Sequence, residues 1–107
     1  MNVLEFEADS SVDLNMSSLQ GYVSTTYEKL VDLFGAPTYS DADPNEKVNA
    51  EWQVEAKVYD PEDDDSVYVK FSIYNWKTGN VPVEEYNWHV GGYDSYASII
   101  ANQIING

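Results

Sequence analysis

The chain has 107 residues, 43% hydrophobic and 14% aromatic, and sets 19 Asp and Glu against five Lys with no Arg, a formal net charge of −14. Disordered acidic chains lack that apolar and aromatic content, so a folded single domain over residues 1–107 is expected. The charge argues against direct nucleic-acid binding and against attachment to anionic lipid, and without Arg nothing can clamp a phosphate in bidentate fashion.

There is no Cys, hence no disulfide framework and no thiolate metal site. The start, Met1 to Glu7, is acidic and alternating, unlike a signal peptide. Leu4, Phe6 and Ala8 alternate with Glu5 and Glu7, the period of a half-buried strand. Asp9 to Ser18 is polar and reads as a loop. Leu19 to Val23 reads as a lead into a helix, with Thr25 as N-cap, Glu28 completing a capping box, and a stripe of Tyr27, Leu30, Val31 and Phe34. Gly35 and Pro37 end that helix.

Tyr39 to Lys47 is rich in turn residues. Val48, Ala50, Trp52, Val54, Ala56 and Val58 then alternate with Asn49, Glu51, Gln53, Glu55 and Lys57, a strand with one wet face. An acidic turn, Asp60-Pro61-Glu62-Asp63-Asp64-Asp65, leads to a partner strand with Val67, Val69, Phe71 and Ile73 inward and Tyr68, Lys70, Ser72, Tyr74 and Trp76 outward. A further strand is expected within Val81 to Val90, broken by Gly91-Gly92. Asp94 is the expected cap of a last helix with a stripe of Tyr96, Ile99, Ile100 and Ile104. The expected fold is α+β: a small antiparallel sheet in the order β-α-β-β-β-α, with both helices on one face and a wet, acidic, partly aromatic face opposite.

Chemistry-bearing motifs are scarce. His89 is the only histidine, and no second acid–base group or nucleophile is placed beside it by spacing, so neither catalysis nor a transition-metal site is expected. The acidic turn lacks the spacing and central Gly of a calcium-binding loop, and Gly91-Gly92 lacks both phosphate-loop patterns. No cofactor is expected. What remains is charge: Glu5, Glu7, Glu51 and Glu55 would share the outward face, with Asp60, Glu62, Asp63, Asp64 and Asp65 at the turn. Alternate strand residues are about 6.8 Å apart, close to two base-pair steps of B-DNA at about 3.4 Å each, so such rows can imitate a phosphate track. Tyr68, Tyr74 and Trp76 are candidate aromatic anchors for a protein partner.

Four strings carry a likeness: Leu19-Gln20-Gly21-Tyr22-Val23, Tyr27-Glu28-Lys29-Leu30-Val31-Asp32-Leu33-Phe34-Gly35, Tyr74-Asn75-Trp76-Lys77 and Trp88-His89-Val90-Gly91-Gly92. Together they resemble a family of small, largely uncharacterised acidic bacteriophage proteins, and with Glu51-Trp52 the likeness covers most of residues 19–105. The resemblance implies a phage product in the cytoplasm of a bacterial host and brings no catalytic residue with it. The expected function is a non-enzymatic inhibitor, a DNA mimic that occupies the basic groove of a nucleic-acid-binding defence protein such as a CRISPR, restriction or nuclease complex. The alternative is a phage assembly or accessory module whose acidity serves only solubility. A homodimer through an exposed edge or the Tyr-rich face would lengthen the acidic track.

Overall fold

A computed structural model describes residues 2–107. The elements are β1 (Asn2–Ala8), β2 (Ser18–Thr25), α1 (Tyr27–Phe34), β3 (Tyr39–Ser40), β4 (Ala50–Asp60), β5 (Asp65–Tyr74), β6 (Tyr86–Gly92) and α2 (Tyr96–Asn106). They form one antiparallel sheet in the order β1-β4-β5-β6-β2, with β3 pairing with the start of β4. Both helices cover one face, as the α+β expectation requires. Neither helix is long and apolar enough to cross a membrane.

Strand β4 is the spine of the core because its alternation is unbroken. Ala50, Trp52, Val54, Ala56 and Val58 have no solvent exposure. Trp52 meets Tyr27 of α1 and Trp88 of β6 at ring centroids of 5.7 and 5.6 Å, and its indole N–H donates to the Gly35 carbonyl at 2.9 Å. A buried indole needs such an acceptor, so this bond also fixes where α1 ends. Gly35 follows the helix at φ 83°, a conformation suited to glycine.

Several elements differ from the sequence expectation. Residues 18–25 form a strand, not a lead into the helix; the register shifts between Leu19 and Gly21, so the strand period is interrupted. Thr25 is therefore a buried strand residue, and Thr26 caps α1, its hydroxyl accepting from the Lys29 N–H at 3.2 Å. Gly91 and Gly92 continue β6 instead of breaking it. They occupy close approaches: a Cβ on Gly92 would lie 2.3 Å from the Ala97 Cβ, and one on Gly91 2.6 Å from the Ser72 hydroxyl. The buried stripe of α2 is Ala97, Ile100, Ala101 and Ile105, leaving Tyr96 and Ile99 half exposed. Asp94 still binds the Tyr96 N–H, at 2.9 Å, although the residue at the cap position is Ser95. Val67 lies near the hairpin tip and is 40% exposed.

The face opposite the helices is not uniformly wet. Strands β1 and β2 lie at opposite ends of the sheet, so residues 9–17 must cross its width. They do so over the outward face: the Gln53 side-chain amide donates to the Val12 carbonyl at 3.0 Å, and Tyr93 donates to the Asn15 carbonyl at 2.7 Å. Val12 and Leu14 are half-buried. The polar composition of this segment hid its role, because it is the backbone carbonyls that bond to Gln53 and Tyr93.

Candidate functional site

The candidate residues fall in four places. Glu5 and Glu7 of β1, Glu55 of β4 and Tyr68 of β5 share a groove of about 240 Å³ with Asp9, Lys57 and the Ser11–Val12 stretch. Glu7 stands directly opposite Glu55, a like-charge pair that costs stability in isolation. Glu5 stands opposite Lys57, and Glu55 opposite Lys70. The sheet therefore carries an acidic patch interrupted by lysines, not an unbroken carboxylate row.

Glu51 is separated from that groove. It lies beside the crossing segment with Gln53, Ser72 and Asp13, in a second hollow of about 410 Å³. Loss of solvent there raises its pKa above the ordinary 4.5. Its cross-strand neighbour is Tyr74, whose phenol is also pushed upward, first by burial and then by the carboxylate of Glu51 and by Tyr22.

The acidic turn forms the tip of the β4–β5 hairpin, where Asp60 pairs with Asp65. Its shape is fixed internally. Asp60 accepts the Glu62 N–H at 2.9 Å, Asp64 sits at φ 48°, and the Tyr59 hydroxyl donates to Asp64 at 2.5 Å. Glu62, Asp63, Asp64 and Asp65 are exposed. That hydrogen bond to Asp64 is the main reason the Tyr59 phenol is raised. Among the described residues, no three His, Asp or Glu side chains converge in a way that could hold a metal ion.

Tyr74 and Trp76 lie at the other end of the hairpin, roughly 30 Å from the tip by strand rise. They belong to a cluster that spacing alone did not reveal. His89 of β6 packs against Tyr22 at 5.0 Å, Tyr74 at 5.4 Å and Trp76 at 6.4 Å, and the ammonium groups of Lys47 and Lys77 lie 5.9 and 5.7 Å from the Trp76 ring. His89 thus has aromatic neighbours, while its buried Nδ1 has no hydrogen-bond partner among the described residues and desolvation lowers its pKa below 6.5. Pairing between β2, β6 and β5 assembles this cluster, and the missed strand β2 is why Tyr22 was not foreseen.

Comparison with protein-family models, curated proteins and solved structures finds no match for this chain.

Proposed function

We propose that this chain is a non-enzymatic phage inhibitor that acts as an acidic DNA mimic, occupying the basic groove of a nucleic-acid-binding host defence protein. The observation that carries the reading is a net charge of −14 on a folded chain with no Arg. Glu5, Glu7, Asp9 and Glu55 supply one acidic surface and the Asp60–Asp65 tip supplies another. The opposed Glu7 and Glu55 carboxylates repel each other in the free protein, and a cationic partner would relieve that repulsion. Glu51, beside the crossing segment, contributes less.

The test is capture from nuclease-treated bacterial lysate at low salt, followed by stepwise salt elution and competition with duplex DNA. A DNA- or RNA-handling protein should elute, DNA should displace it, and Glu5→Lys with Glu7→Lys should weaken binding by about tenfold or more. Binding indifferent to salt and to these reversals overturns the reading.

The aromatic cluster favours a second reading, an assembly or accessory module whose acidity serves solubility. Tyr22 and Trp76 are 52% and 40% exposed, and such side chains commonly anchor protein interfaces. In that case Trp76→Ala abolishes partner capture and the charge reversals do not.

A further inference from the structure

We propose that the outer edge of β1 docks an extended basic segment of the partner, which adds to the sheet as a further strand; this rests on the reading that the partner is basic. The two ends of the sheet are treated differently. At β2, Asn102 and Asn106 of α2 donate their side-chain amides to the Tyr22 and Ser24 carbonyls at 3.0 and 3.3 Å. Those bonds occupy acceptors that an incoming strand would need. Strand β1 has no such cap among the described residues.

Backbone polarity along β1 follows from one bond. The Asp9 N–H donates to the Gln53 carbonyl at 2.9 Å, across the line between β1 and β4. Alternate residues of an antiparallel strand direct their backbone groups the same way. Glu7 and Glu5 therefore bond toward β4, while Phe6 and Ala8 direct their N–H and C=O outward. An added strand would find these groups available.

The side chains specify its chemistry. On the helix-covered face stand Phe6 and Ala8, opposite the buried Ala56 and Val54, and Phe6 is 36% exposed with its ring 5.4 Å from Phe34. On the opposite face stand Glu5 and Glu7. An incoming strand meets an apolar row on one side and an acidic row on the other, so alternating apolar and Lys or Arg residues complement both. A second copy of β1 would bring Glu5 and Glu7 against their own kind, which disfavours self-pairing.

The test is an NMR titration of the isotope-labelled protein with a peptide of alternating Lys and Val, as long as β1 (7 residues). The same peptide N-methylated throughout keeps the charge but cannot pair. The unmodified peptide should bind about tenfold more tightly than the methylated one, a difference of ~1.4 kcal/mol. It should also shift the Phe6 and Ala8 amide resonances and slow their exchange. Ala8→Pro removes an outward N–H while sparing the bonds to β4, and should abolish the preference. Equal affinity for both peptides, shifts centred on β2, or no binding of either overturns the inference. If duplex-competed capture of a basic protein persists in any of those cases, only the edge inference has failed. If that capture fails as well, the reading of a basic partner has failed with it.

Discussion

Burial changes what two polar residues do. Glu51 has a pKa raised by desolvation, so the native state holds its proton more tightly than the unfolded chain. The stability tied to that proton is fully present below 4.5 and is lost as pH rises through the raised native value. Glu51→Gln removes this loss. Relative to the parent, the variant's urea midpoint should improve as pH rises above 4.5 through the raised native value. Asn75 is fully buried and fully bonded. Its side-chain oxygen accepts from the Asn49 and Ala50 N–H groups at 2.8 and 3.0 Å, and its amide donates to Asn49 and Thr78 at 3.0 and 2.7 Å. It ties the entry of β4 to the exit of β5. Asn75→Ala leaves buried groups unpaired and should cost about 3 kcal/mol in denaturant unfolding.

At the scale of elements, periodicity was legible wherever one continuous face met the core. Strand β4 and the stripe of α1 were readable for that reason. Strand β2 was not, because its bulge interrupts the period, and the glycines of β6 pointed the wrong way because glycine serves turns and close packing alike. The acidic residues were individually obvious, but their separation was not. Only the pairing of β1 with β4 brings Glu5 and Glu7 to Glu55, and only the path of residues 9–17 sets Glu51 apart. The close packing of β6 against α2 makes its own prediction. Gly92→Ala forces a methyl against Ala97 and should destabilise the fold by about 2 kcal/mol, as overpacking does. Ala97→Gly in the same chain should recover part of that loss, whereas a substitution acting only through backbone freedom would show no such recovery.

For the whole molecule, charge acts on folding and on binding with opposite signs. The domain measures 46 × 27 × 21 Å. At ~0.01 M salt the screening length is about 30 Å, so carboxylates across the molecule repel one another; at ~0.15 M it is about 8 Å and only near neighbours interact. Five lysines among 19 acids cannot offset that repulsion, even with Lys57 and Lys70 set opposite Glu5 and Glu55. Raising sodium chloride from ~0.01 to ~0.15 M should therefore raise the thermal midpoint, by about 5 °C for each kcal/mol of repulsion removed. Over the same range a complex held by carboxylates on a basic groove must weaken, because screening acts on its attraction. A neutral interface built on Tyr22, Tyr74 and Trp76 would strengthen or hold steady alongside the fold. Measuring the thermal midpoint and partner affinity across one salt series separates these cases: loss of binding while the fold gains stability cannot come from unfolding and must come from the carboxylates at the interface.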